Sequence, residues 1–596
     1  MNSTNNKQLK HLRKAKTLLS LILAFALALT GTFALTGCSD KKNPSADVSK
    51  GIAGVEYYHY DPANFKSMCD KLEDLAAGND AAAVINQYDK LYEEYLELDT
   101  LYSVIYVMYS TDVTNDYYSK EQIYAYDNLQ KCNDRLCEVC RKITEGPCAD
   151  KFREHVGKGA FDAFAGYRVL SKREKDLMKQ EKELVDDYYD AIEKAEDATY
   201  PYKGKEWNFD MISGDQGNEL AYSDYNGYVE IYDGLLKMAN DSAGPIYLDL
   251  VDIRTELANL AGYDNYAAYA DEEEYCRDYS DADIEQLHSD VKKVSQEYFD
   301  IYYSSYSDDG GKALPKMTTK KLLKTLQKYS NLIDDMTAES VQQMLDENLF
   351  TIGDEKNRQD GAFTTYISKT NCPFISMTLD GQRDFIVLSH EFGHFVEFNN
   401  EKTSNVLTDS DNLDLAEIAS NGLQGLMTNY YDEIYKGSAE KAKKDAVGEL
   451  LQNVIDGCVE DEFQRGIYEN PDMSLDEINK LYSETYAKYN TWAEGDPGYS
   501  WVFVSHNFEA PMYYISYTVS ALAALQIWNQ SSKDFDGAVK TWEKFIKKGT
   551  HNKTYLDVVD KCGLLKFTEK GAVKKICKPA LKAISNGPEL NYDFEN

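Results

Sequence analysis

The chain has 596 residues, 43% of them hydrophobic and 28% charged, which excludes a disordered chain and leaves room for several large cores. Its 101 acidic residues against 64 basic ones give a net charge of −37, so no nucleic-acid partner is expected. A mean hydropathy of −0.55 excludes a bundle of membrane spans.

The first segment reads as an address. Lys7, Lys10, Arg13, Lys14 and Lys16 form a basic leader with no acidic residue. An apolar run from Leu18 to Leu35 follows, closed by Leu35-Thr36-Gly37-Cys38. The pattern resembles a bacterial lipobox, whose cysteine is lipidated and becomes the mature N-terminus. A non-cleaved anchor is the other reading, since the run is nearly long enough to span a bilayer. Both put the body outside the cytoplasm. The expectation is a membrane-anchored bacterial lipoprotein held by Cys38, with 1–37 as signal peptide. Residues 38–54 are polar and read as a flexible tether. Removing 1–37 takes away five basic charges, so the mature charge is 59 minus 101, or −42.

Ten cysteines remain after Cys38. An even number in an exported chain permits disulfides, and Cys562 with Cys577 are near neighbours in sequence. Cys132, Cys137, Cys140 and Cys148 have an irregular spacing and no second CxxC, which disfavours a zinc site. Disulfides or free buried thiols are the expectation.

Residues 55–350 read as a helical N-terminal region. Lys90 to Ser110, Glu121 to Ile143, Lys172 to Ala195, 282–306 and 319–347 carry apolar positions at three- and four-residue spacing. Pro201, Ser213-Gly214-Asp215 and Ser307 to Pro315 mark breaks, and Gly495 to Gly498 marks one further on. Residues 351–596 read as a catalytic region. It opens on Gly361 to Leu379, rich in Thr, Ile and Phe, which predicts one or two strands.

His390-Glu391-Phe392-Gly393-His394 is an HExxH. On a helix the two histidines lie one turn apart on one face and both reach one zinc ion. Glu391 sits beside them as a base for a water. A catalytic zinc takes three protein ligands and keeps one position open. Glu417 follows His394 by 23 residues, on a second predicted helix with Leu415, Ile418, Leu423, Leu426 and Met427 as its apolar stripe. It is the expected third ligand. Asp409 and Asp411 are expected to cap that helix. Farther on, Pro511 to Trp528 is apolar all round and reads as a buried core helix rather than a membrane span.

These residues resemble the oligoendopeptidase F and thimet oligopeptidase family of zinc peptidases. Three blocks carry the likeness: Asp384 to His394 with Gly393 in its habitual place, Glu417-Ile418-Ala419-Ser420, and His506 followed by Pro511 to Tyr517. Gly361-Ala362-Phe363 and Pro373-Phe374-Ile375 are also similar. The chain departs from the family at Glu397, where a histidine is usual, and at Gln424, where an acid is usual.

The resemblance implies a mostly α fold, with two lobes flanking a deep channel and a small β-sheet beside the HExxH helix. It implies one Zn2+ per chain on His390, His394 and Glu417, with Glu391 as general base. Tyr517 and His506 become the expected donors to the carbonyl oxygen, and Tyr514 a substrate contact. Tyr513, one step off that face, is expected to matter less. The strand through Ile375, Ser376 and Met377 is expected to offer its edge to an extended peptide. The expected activity is cleavage of internal bonds in short unfolded oligopeptides. A catalytically degenerate peptide-binding lipoprotein and a zinc carboxypeptidase on a similar scaffold are the alternatives.

Overall fold

The computed structural model describes residues 52–305, 314–401, 405–493 and 495–585. The signal peptide, Cys38 and the tether up to residue 51 lie outside the described residues, as does most of the break expected at Ser307 to Pro315.

Helices build most of the chain. Four of them, Ala63–Ala76, Ala81–Thr111, Asp116–Thr144 and Ala149–Gly166, share a core of their own around Phe65, Leu91, Leu98, Leu136 and Phe152. Their starts follow local chemistry. The Asp80 carboxylate accepts from the Ala83 amide at 3.0 Å, and Asn115 accepts from the Tyr117 amide at 3.0 Å. The main core is larger and joins residues on both sides of position 350, from Val104 and Tyr247 to Phe392, Leu522 and Cys577. A short hairpin, β1 (Tyr200–Tyr202) with β2 (Lys205–Trp207), packs with a third cluster around Trp207, Ile212 and Tyr228.

The strand region predicted at Gly361 to Leu379 holds two strands, which join an unpredicted third in a sheet beside the HExxH helix. The sheet contains β3 (Phe350–Gly353), β4 (Ala362–Ile367) and β5 (Cys372–Thr378), in the order β3-β5-β4. β3 runs parallel to β5, and β4 runs antiparallel to it. This corrects the role given to Ile375, Ser376 and Met377. Their strand is central, so both of its edges already carry ladders. Ile375 is fully buried, and the Ser376 hydroxyl lies 2.9 Å from the Ser110 hydroxyl on the helix behind. The edges belong to β3 and β4, and of these β4 lines the cleft.

Tyr514–Ser531 is a helix buried on nearly all sides, with Ile515, Val519, Ala523 and Ile527 at zero exposure. Among the described residues no helix is long and apolar enough to cross a membrane.

The ten cysteines are all unpaired, including Cys562 and Cys577. Nine are buried thiols and Cys276 is exposed. Parity of number is a weak guide, because a disulfide needs two Cβ atoms about 3.5–4.5 Å apart. Burial pushes the Cys137 and Cys577 thiols up to about 12, which keeps them protonated and inert.

Candidate active site

The HExxH helix, Asp384–Asn400, follows a tight turn at Gly381, whose φ is +76°. The Asp384 carboxylate accepts from the Asp380 and Gly381 amides, each at 3.1 Å, and so ties the turn to the helix start. Phe385, Leu388, Phe392, Phe395 and Val396 bury one side of the helix. His390 and His394 look the other way, into a cleft of about 810 Å³.

The second helix, Leu413–Met427, lies against the first. Gly393 allows this. A Cβ there would stand 2.5 Å from the Ser420 Cα and 2.8 Å from the Ala419 carbonyl oxygen, so no larger residue fits without moving main chain. The helix is capped by Asn412, whose side chain accepts from the Asp414 amide at 3.0 Å. Asp409 and Asp411 are not the caps; Asp411 faces His551 instead.

The close packing delivers Glu417 to the histidines. Its Oε2 lies 3.1 Å from His390 Nε2 and 3.3 Å from His394 Nε2. Ser420 donates to the same Oε2 at 2.8 Å. Burial opposes charge on both partners, yet Glu417 lifts His390 to about 9. Burial likewise works against the Glu417 carboxylate, yet His394 and His390 hold it well below the usual range. The Glu417 carboxylate thus favours positive charge beside it. Two imidazole nitrogens and one carboxylate oxygen converging on a cleft are the donor set of a catalytic zinc with an open position, so the residues fit that ion.

Glu391 points to the same cleft without joining the trio. Its Oε2 accepts a hydrogen bond from Thr364 Oγ1 at 2.8 Å, and the same hydroxyl reaches the Glu391 carbonyl oxygen at 2.9 Å. Edge strand β4 therefore fixes the base.

His506, Tyr514 and Tyr517 also form a wall of the cleft. The His506 ring stands edge-on to Tyr514 at 5.1 Å and to Tyr517 at 6.0 Å, and stacks on Tyr513 at 5.5 Å. Two buried arginines lock this wall. Arg254 donates to the carbonyls of Asn507 and Phe508, beside His506. Arg277 donates to the Met512 carbonyl at 2.7 Å. Ser516 donates to Asp414 Oδ1 at 2.6 Å and so joins the tyrosine helix to the Glu417 helix. Burial lowers the His506 imidazole, so it is neutral at pH 7.

The sequence matches the model of peptidase family M3 over residues 230–563, more than half of the 596 residues. The family's N-terminal domain model matches residues 56–165. The chain belongs to peptidase family M3.

Solved structures agree in fold. PZ peptidase A, solved with an inhibitor, superposes with a TM-score of 0.72 at 20% identity, over 89% of this chain and 98% of its own. A candidate oligoendopeptidase F from Bacillus anthracis str. Ames gives 0.72 at 20%, over 90% and 98%. Trypanosoma cruzi metallocarboxypeptidase 1 gives 0.53 at 9%, over 87% and 99%. No curated protein matches the sequence.

Within this M3 chain the two departures have physical explanations of different kinds. The Gln424 amide donates to Glu449 Oε2 at 3.1 Å. Glu449 comes from the helix Ala439–Glu469, lines the cleft and acts electrostatically on His390. Burial works against its charge, but Arg383 pairs with it and keeps it ionised. A carboxylate is thus present near the histidines, supplied by another helix and held by Gln424. Glu397 is 1% exposed, and its Oε1 has no hydrogen-bond partner. Burial, then Glu401, Asp411 and Glu417, raise it well above the carboxylate range.

Thr364, Glu449, Arg254 and Arg277 escaped the sequence reading. The first lay one residue beyond a stretch similar to the family's, so only Thr364 left a local signal. Ile375 and Ser376 do not reach the cleft, whereas Met377 does, together with Gly361, Ala362 and Phe363 of the β4 side.

The Tyr513 ring stands edge-on to the Tyr517 ring at 4.9 Å. Burial and then Glu417 raise Tyr517, so its phenol stays protonated as a donor. Tyr517→Phe should lower kcat by about 10²–10³ with little change in KM. Steady-state kinetics on one fluorogenic peptide, with zinc content measured in parallel, checks this. An unchanged kcat demotes Tyr517 to packing.

Proposed function

We propose that this M3 metallopeptidase is a zinc-dependent endopeptidase that cuts internal bonds of short unfolded peptides outside the cytoplasm. The observation that carries the reading is the convergence of His390, His394 and Glu417 on one cleft, with Glu391 held beside them by Thr364. This complete set argues against a degenerate binding protein. Zinc, when bound by the three ligands, supplies Lewis acidity toward water and the scissile carbonyl.

The chain's own residues do the rest. Glu391 accepts a proton from the attacking water and returns it to the leaving amine. Tyr517 and neutral His506 donate to the carbonyl oxygen as it gains charge. The free edge of β4 at Gly361–Thr364 offers main-chain groups to an extended substrate, in place of β5.

The decisive test uses the purified mature protein and a mixed peptide library, with and without chelator, and maps cut bonds by mass spectrometry. Chelator-sensitive internal cuts are expected. C-terminal trimming alone identifies a carboxypeptidase, and no cutting identifies a binding protein.

The location is proposed from the leader alone. Cys38 carries lipid and ties the enzyme to a bacterial membrane. Cys38→Ser should abolish incorporation of labelled fatty acid and leave soluble enzyme or unprocessed precursor. Unchanged labelling in Cys38→Ser removes the anchor.

A further inference from the structure

A second group of side chains with metal-ligand chemistry lies beside the same cleft, which Asp411 and Thr550 line. Glu401 ends the HExxH helix, Asp411 precedes the Glu417 helix, and His551 sits on the loop after the helix Phe535–Lys548. One ligand atom from each lies within 4.8 Å of the others. His551 Nε2 is 3.0 Å from Asp411 Oδ1, and Nδ1 is 3.1 Å from Glu401 Oε1.

The site is built rather than accidental. Thr550 and His551 amides donate to Glu401 Oε1 at 2.7 and 2.8 Å. The Thr550 hydroxyl bridges Glu401 Oε2 at 3.1 Å and Asp411 Oδ1 at 2.9 Å. Gly549, at φ +67°, lets the loop approach, since a Cβ there would stand 2.2 Å from Glu401 Oε1.

Two observations point to a missing positive charge. Glu397 is nine-tenths buried and more, lines the cleft with Asp411, and its Oε1 has no partner. Glu401 and Asp411 are the carboxylates that act on it most strongly. His551 Nδ1 is also buried without a well-aligned hydrogen bond. Among the described residues, Glu397, Glu401 and Asp411 form no ion pair with any lysine or arginine. Three carboxyl groups therefore share one imidazole. Glu397 is the buried one of the three, and leaving it without a partner is costly.

We propose that Glu401, Asp411 and His551, with Glu397 at their back, hold a second divalent cation distinct from the His390–His394–Glu417 site. One imidazole with carboxylate oxygens suits a borderline ion of the zinc type. Its place is structural. It staples the residue ahead of the Glu417 helix to the 549–551 loop and to the end of the HExxH helix.

The test is a Zn2+ titration by calorimetry on the full mature chain, stripped of metal by chelator dialysis. The wild type should take up two equivalents, one tight and one weaker. His551→Ala should take up the tight one only. Glu397→Gln, which keeps the side-chain shape, should weaken the second at least tenfold and serves if His551→Ala does not fold. His390→Ala should lose the tight equivalent and keep the weaker. The thermal midpoint should rise on filling the second site in wild type but not in His551→Ala. Saturation of wild type at one equivalent overturns the proposal, as does a second equivalent unchanged in both His551→Ala and Glu397→Gln. Retention of the tight equivalent by His390→Ala sinks the catalytic site instead and leaves this one standing.

Discussion

Glu391→Gln should bind zinc normally and lose about 10²–10⁴-fold in kcat. The residue lies outside the ligand trio, so the metal has no reason to leave. Glutamine has the same shape and still accepts from Thr364 through its amide oxygen. What disappears is the group able to take a proton from water and hand it on. The folded state should change little, because the hydrogen bond is preserved. The check is turnover of one peptide alongside metal analysis and a thermal melt. Turnover near wild type with full zinc moves the base to another residue.

His390→Ala should abolish both the tightly bound zinc and the peptidase activity, and His394→Ala should do the same. A catalytic site with three protein ligands does not hold its ion with two. The change also leaves the Glu417 carboxylate buried with only one imidazole near it. Breaking one side of a buried ion pair costs about 3–5 kcal/mol, so a lower thermal midpoint should accompany the loss. Metal analysis after dialysis reads the first effect and a melt reads the second. A variant that keeps its tight equivalent shows that the ion sits elsewhere.

The ligands were legible because their geometry is local. Histidines four apart on an apolar helix share a face whatever surrounds them. Glu417 needed one tertiary guess, that the next apolar helix packs on the first. Family resemblance supplied His506, Tyr514 and Tyr517, since a chain with 47 tyrosines gives no other reason to pick two. Strand pairing was not legible. The composition of Cys372–Thr378 showed a strand, but its partners are as far away as Phe350, and they decide which edge is free. Thr364 reaches Glu391 across 27 positions, and Glu449 reaches Gln424 across 25. Such contacts exist only after the helices have docked. Asn412 displaced its neighbours Asp409 and Asp411 as cap for a similar reason, because Asp411 is drawn to His551 from a distant loop.

With Gly393 pressed on the Ser420 main chain, neither helix can slide to suit an ion of another radius. The distance between the imidazole pair and the Glu417 carboxylate acts as a fixed gauge. Zinc bonds nitrogen and oxygen at about 2.0–2.2 Å, whereas calcium wants about 2.3–2.6 Å and six to eight oxygens. Side chains repack easily, but two touching backbones do not. Ion selectivity is therefore written partly into a residue that never touches the ion. An engineer wishing to change the metal would have to begin at position 393, before altering any ligand.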